Sequence, residues 1–548
     1  MRAMSEPAGE GRAGRSGGAL CLLIMLLAVT GAGAAVLQVP SQYATIQAAL
    51  DAAQDGDWVQ VAAGTYVEQL DIHAAVTLKG VSRNGTHVQA PTSLVERFTA
   101  EGVGYRPVIY AHAPGEVTIR DLTVDGAGYG AANPHFAGVA FHSTGGTLLN
   151  TAITGIKENP LGAADNGTAL IAWNGDGASR TLTVSGNTIR SYQKCGLRLG
   201  GAGLSAVVSS NEITGPSRTG TAAAPDGIQV GVGVLAALRD NEIYDNAASG
   251  AGTGPDPRTQ NQSAGIRLVD ADPGTVVEDN VIVENDTGIT AIGASTLGAN
   301  FLLDNRYAGI VLRGGSHVVD GSNIQGIHRT GLWVIGETDR DLVEVDNVCL
   351  SGPGGDAIDL DIAGIRAYSA GTELTVDVRH CTIVQWNVGL RPEGSSVALS
   401  LHESSLGSNN IAAYDNTACG RAQDATLNWW GVSSGPAPVG LGDPILGDGV
   451  LFEPRRIDGQ DTNILCGLQG RGSTVGPVAP SECISVEHTC AEGIPVDISR
   501  TTSEEMRGFT ITFALGGPIQ LCDGLNSIHE GTYPVSYTHL TLPTILRV

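Results

Sequence analysis

The stretch RDNEIYDN, residues 239–246, decides the fold. Asn241 stands two residues before Ile243, and a strand alternates its side chains between two faces, so amide and isoleucine share one environment. A buried amide requires hydrogen-bond partners. The pattern recurs as SGNTIRS at Asn187, SSNEITG at Asn211, EDNVIVE at Asn280, GANFLLD at Asn300, GSNIQGI at Asn323 and VDNVCLS at Asn347. A second element follows each time: CGLRLGG at Gly196, DGIQVG at Gly227, AGIRLVD at Gly265, TGITAIG at Gly288, AGIVLRGG at Gly309 and TGLWVIG at Gly331. Degenerate copies continue as DAIDLD at Asp356, VGLRPEG at Val388 and IAAYDN at Ile411. Short strands and turn residues at a period mostly in the twenties, with no helical pattern, predict a solenoid of strands.

These units resemble the coils of right-handed parallel β-helix proteins, the fold shared by pectate lyases, polygalacturonases and many bacterial surface proteins. The resemblance implies that equivalent residues stack about 4.8 Å apart along the axis, and that the asparagines form a ladder inside a corner. The segment ATIQAALDAAQDGDWVQVAAGTYVEQLDIHAAVTLKG, residues 44–80, resembles the opening of pectin methylesterases. Within it, Ile46, Ala49, Leu50 and Ala53 have helical spacing and are expected to cap the first coil. NWWGVSSGP, residues 428–436, resembles the closing segment of secreted bacterial β-helix domains. Trp429 and Trp430 suit a sugar platform, but a solenoid must cover its last coil, and capping is the favoured reading. The expectation is an all-β chain: a β-helix over residues 36–457 with a short N-terminal capping helix, followed by a truncated β-sandwich.

Composition agrees with a turn-rich β protein: 76 glycines in 548 residues, 42% hydrophobic, 5% aromatic. A formal charge of −25 argues against nucleic acid and anionic membranes as partners and weakens a polyanionic one. Residues 1–35 read as a secretion signal, with Arg2, Arg12 and Arg15 before the apolar run ALCLLIMLLAV, too short to span a bilayer. The mature chain is expected to be secreted or displayed at the cell surface, without membrane insertion. Eight of the nine cysteines lie beyond the leader, and Cys490 with Cys522 is a first guess among many pairings. Residues 458–481 read as a Gly/Pro/Ser linker, and 482–534 resemble the first strands of a cohesin-like sandwich. Residues 535–548 resemble translated sequencing adapter and are set aside.

Catalytic signatures of related folds are missing. There is no Gly-His-Gly with Arg-x-Lys, and YGAANPHF, residues 129–136, places Asn133 where epimerase-like chemistry needs an acid. ENDTG at Glu284 reads as a turn. No cofactor is expected, although Asp356, Asp359 and Asp361 could offer oxygen ligands to Ca2+. The positive clue is two long insertions, TGPSRTGTAAAPD after Asn211 and YDNAASGAGTGPDPRTQNQSA after Asn241. Both enter at one corner and should form a lip beside the Gly-Ile strands. On those strands Arg198, Gln229, Arg267, Trp333, Asp359 and Arg391 alternate outward and form the candidate site. Rungs about 4.8 Å apart suit successive sugars, and guanidinium forks suit carboxylates. The expected function is non-catalytic binding of a polysaccharide, a cell-surface glycan or another surface partner along this face. The alternative is a polysaccharide lyase or glycoside hydrolase acting on acidic glycans.

Overall fold

The structure, a computed structural model, describes residues 34–162, 166–217, 224–249, 252–354 and 359–457, and the backbone of 473–477 and 496–500. Each turn of the chain lays down three short strands, as in Leu204–Ser209, Glu212–Thr214 and Asp226–Val230. Repetition stacks them into three parallel sheets of 14, 13 and 14 strands, with one further strand, Phe98–Ala100, paired antiparallel at the side of the third. The first sheet runs from Val36–Val39 to Val397–His402, the second from Gly64–Val67 to Ser405–Gly407, and the third from Leu70–Ile72 to Ile445–Leu446.

Alternation places one aliphatic side chain inward from each three-residue strand of the second sheet. Ile213, Ile243, Ile282, Leu302 and Ile324 stack rung on rung, each 0% exposed. Full burial of such a side chain is worth about 2 kcal/mol, which is the main force holding coil to coil.

The asparagine of the opening stretch sits where the chain turns from the first sheet to the second. Asn241 Nδ2 donates to Asn280 Oδ1 (2.9 Å) and to the Val208 carbonyl (2.9 Å). Its Oδ1 accepts from the Asn211 backbone N–H (3.2 Å) and Nδ2 (2.9 Å). The ladder runs Asn187, Asn211, Asn241, Asn280, Asn300 and then passes to Ser322, whose hydroxyl accepts from Asn300 N–H at 3.3 Å. Asn323 and Asn347 depart from expectation. Asn323 begins the strand Asn323–Gln325 one residue beyond the corner, and Asn347 occupies a turn at φ 54° one residue before it. A one-residue slip moves a side chain to the other face, and sequence alone does not fix that register. A second ladder, Asn246, Asn285 and Asn305, lines the corner between the second and third sheets.

Glycine recurs on the third sheet for a steric reason. A Cβ on Gly265 would lie 2.6 Å from Ile282 Cγ2 and 2.8 Å from the Gly288 carbonyl, and Gly196, Gly227, Gly288 and Gly309 repeat that close approach. Both ends are closed as expected. The helix Ile46–Ala52 is capped by Thr45 Oγ1, which accepts the Ala48 N–H at 3.1 Å, and it buries Ile46, Ala49 and Leu50. At the other end Trp430 is fully buried against Phe452, and Asn428 is buried with it.

The leader, the adapter-like tail, Asp356 and the Cys490–Cys522 pairing lie outside the described residues, as does nearly all of the expected sandwich. Ser473–Pro477, inside the expected linker, is a strand paired antiparallel with Val496–Arg500 in a second unit, residues 467–548. Among the described residues no helix is long and apolar enough to cross a membrane.

Candidate functional site

The register of the third sheet places five of the six candidate residues in one outward column. Successive rungs are Arg198, Gln229, Arg267, Thr290, Val311, Trp333, Arg366 and Arg391. Asp359 is not among them. It lies in the connection before the strand Ala363–Ser369, 46% exposed, with its carboxylate 3.6 Å from Arg329. The rung it was expected to fill belongs to Arg366. The segment DAIDLD mimics a strand, but Gly364 fills the glycine column, and that sets the register.

Connections from second to third sheet cover part of this face, beginning with a hairpin that precedes both expected insertions; of the first insertion, residues 218–223 lie outside the described residues. Residues 90–102 fold into a hairpin, Phe98–Ala100 against the start of Val103–Ala111. Phe98 stacks on Tyr105 (5.2 Å between centroids), Tyr110 (5.6 Å) and His142 (4.7 Å), so the hairpin base lies on the outer face of the third sheet. Beneath it the Tyr110 hydroxyl is 2.9 Å from His142 Nδ1; burial raises the pKa of Tyr110 and lowers that of His142, favouring a neutral pair. The second insertion is tied at its root by Asp286, which accepts the Ala248 N–H at 2.7 Å. Burial holds Asp286 above the usual carboxylate range.

Arg198 and Gln229 line a cavity of about 270 Å³ together with Trp173, Glu101, Gly200 and Gly231. The half-buried indole packs directly on Gly200, where a Cβ would collide with its ring. Arg198 Nη1 donates to Tyr105 Oη (2.7 Å) and Nη2 to Glu101 Oε2 (2.5 Å). Burial disfavours the Arg198 charge, and Tyr105 and Glu101 more than offset it, so its pKa lies above the ordinary arginine value.

The remaining column is closed. Arg267 clamps Asp226 through Nε (2.8 Å) and Nη2 (2.9 Å), and Asp226 also accepts the Ala264 N–H, so the fork expected to meet a ligand is already filled. Trp333 is 4% exposed, with the Arg366 guanidinium 4.3 Å and the Arg258 guanidinium 5.6 Å from its ring. Arg258 comes from the second insertion and also stacks on Tyr368 at 4.4 Å. Arg366 grips Glu393 with two hydrogen bonds (2.8 and 3.0 Å), while Arg391 lies 3.1 Å from Glu393 and 3.8 Å from both Asp361 and Asp415. Asp359 and Asp361 face Arg329, and among the described residues no three His, Cys, Asp or Glu side chains converge as a metal site.

Asn133 is fully buried, accepting from the Leu94 N–H and donating to the Thr92 and Tyr129 carbonyls, so it is an internal brace. Sequence reasoning missed Trp173, Glu101 and Tyr105, which carry no repeat signature, and Arg258. Arg366 was within reach, because AGIRAY shares the Gly-Ile-Arg signature of AGIRLV.

Residues 107–306 match the family model described as the right handed beta helix region. The fold is a right-handed parallel β-helix. Solved structures similar to this chain include the catalytic domain of a GH87 α-1,3-glucanase, at 14% identity over 71% of this chain and 67% of the other, TM-score 0.44. A family 28 exopolygalacturonase of Yersinia enterocolitica shares 11% identity over 69% and 75%, TM-score 0.38. The Dettilon tailspike protein shares 13% over 71% and 68%, TM-score 0.39. No curated protein matches this sequence.

Proposed function

We propose that this secreted or surface-displayed β-helix binds a polysaccharide or cell-surface glycan on the outer face of its third sheet, without cleaving it. The observation that carries this reading is the cavity lined by Trp173, Arg198 and Gln229 on neighbouring rungs of the third sheet. An aromatic face offers stacking to a sugar ring, and the two polar side chains offer hydrogen bonds to its substituents. The non-catalytic part is supported by the state of the acids. Glycosidic hydrolysis needs two carboxyl groups flanking the bond, about 5–9.5 Å apart. At this end of the face Asp226 is held by Arg267, and Glu101 is the only carboxylate among the described residues lining the cavity.

A second reading, a lyase or glycoside hydrolase acting on acidic glycans, is favoured by Asp361, Glu393 and Asp415 gathered around Arg391. One experiment separates the two. The protein is incubated with pectic, alginate and neutral polysaccharides while retention and new reducing or unsaturated ends are recorded together. Retention lost in Arg198→Ala, with no new ends, supports binding. New ends lost in Arg391→Ala support the enzyme, and neither signal removes both readings.

A further inference from the structure

We infer that Glu101 is an internal stand-in for a ligand's anionic group, and that the Arg198 cavity takes a glycan substituent, a carboxylate or a sulfate, that displaces it. The inference rests on the glycan-binding reading and adds the chemical class of the sugar together with the part of the protein that gives way.

Glu101 sits at the hairpin tip, where Glu101 and Gly102 take φ values of 50° and 78°. A glutamate in the left-handed region is strained relative to glycine, and here the turn carries its carboxylate to the cavity mouth. The side chain is 58% exposed and reaches across 97 residues of sequence to Arg198, which is 25% exposed. An ion pair with so exposed a member is weak.

The hairpin base is held separately. Phe98 and Tyr105 are buried at 6% and 5% exposure, and Phe98 stacks on Tyr110 and His142. The tip can therefore leave Arg198 while the base stays in place. What enters must match what leaves. A neutral sugar that pushed Glu101 aside would leave the guanidinium with the Tyr105 hydroxyl and no charged partner, whereas an anion restores a charge-assisted pair and can engage the fork in two places. Trp173 and Gln229, on the walls of the same cavity, then meet the ring and hydroxyls of the residue bearing the anion. The chain's charge of −25 repels polyanions in general, so selectivity has to come from this local site.

The test is calorimetric titration of the full chain and of Glu101→Gln with four oligosaccharides: a uronate oligomer, its methyl ester, a sulfated oligomer and a neutral glucan oligomer. The expected result is that one charged oligomer binds the native protein and binds Glu101→Gln up to about fivefold more tightly, the gain from losing a weak internal competitor. Which of the two charged sugars responds identifies the anion; the ester and the glucan should not respond to the substitution. Should Glu101→Gln fold poorly, Glu101→Gly, which suits the backbone at φ 50°, takes its place and should give the same gain for the charged oligomer alone. Equal binding of charged and neutral oligomers, unmoved by removal of the Glu101 carboxylate, overturns the inference and leaves glycan binding intact. Binding of no oligosaccharide at all removes the glycan-binding reading itself.

Discussion

Asn241 donates its side-chain amide to Asn280 Oδ1 at 2.9 Å across 39 residues of sequence, and both side chains are buried. Replacing Asn241 with alanine leaves the Asn211 backbone N–H without its acceptor and the Asn211 side-chain amide and the Val208 carbonyl each short of one partner, while Asn280 Oδ1 keeps the backbone N–H of residue 241 (3.1 Å). The orphan costs about 1–3 kcal/mol and the other lost bonds add to it, so Asn241→Ala should lose about 3 kcal/mol, read from the urea midpoint. Asn347→Gly is the control. It keeps the left-handed turn at φ 54° and should change stability by less than about 0.5 kcal/mol.

Gly265→Ala adds one methyl where a Cβ would come within 2.6 Å of Ile282 and 2.8 Å of the Gly288 carbonyl. Overpacking of this kind costs about 1–3 kcal/mol, and because neighbouring coils must shift together, the unfolding transition should also broaden. Gly177→Ala, with open space around it but φ 71°, isolates the backbone contribution, which should be about 1 kcal/mol.

Asp226 and Arg267 form a pair whose side chains are 6% and 20% exposed. Removing one partner strands the other charge, so Asp226→Ala should destabilise by about 3–5 kcal/mol. The double variant Asp226→Leu with Arg267→Met should recover part of that loss, since an apolar pair leaves no stranded charge, although the Ala264 N–H loses its acceptor. A double-mutant cycle on thermal unfolding checks both. Equal damage from the single and double variants would show that Arg267 contributes by packing alone.

Cys195 and Cys381 are buried, and burial pushes both thiols up to about 12. In the unfolded chain they release protons near about pH 8.5, so above that value the unfolded state binds fewer protons than the folded one. Their contribution is intact below about pH 8.5 and is lost as pH rises toward about 12. The urea midpoint should fall from about pH 7 to about pH 10, and Cys195→Ala with Cys381→Ala should flatten that slope in part. Tyr192 and Tyr414, fully buried and shifted upward by burial, add to the loss at still higher pH.

Much of this fold was legible because its determinants repeat. One corner asparagine, one inward aliphatic and one glycine per coil are enough to read the solenoid and the outward column from Arg198 to Arg391. Register failed where the repeat weakened, at Asn323, Asn347 and Asp359, because a single residue of slip leaves a sequence equally strand-like. The candidate site was less legible. Glu101 and Arg198, or Arg258 and Trp333, meet only because connections from distant coils fold onto the same face, and no period in the sequence records that. Charge pairing was equally hidden: Arg267 reads as an open cation until Asp226, one coil earlier, is seen to fill its fork.

The asparagine ladder has a direction. From Asn187 to Asn300 each amide donates toward the next coil and accepts from the one before, whether 20 or 39 residues separate them. Such a chain is indifferent to the length of whatever loops out elsewhere on the coil. A coil duplicated in the gene, or one whose connection to the third sheet is enlarged, inherits the bond on both sides without any compensating change. The corner therefore acts as a splice point for growth, letting the body lengthen and the outer face of the third sheet diversify while the junction between coils stays the same.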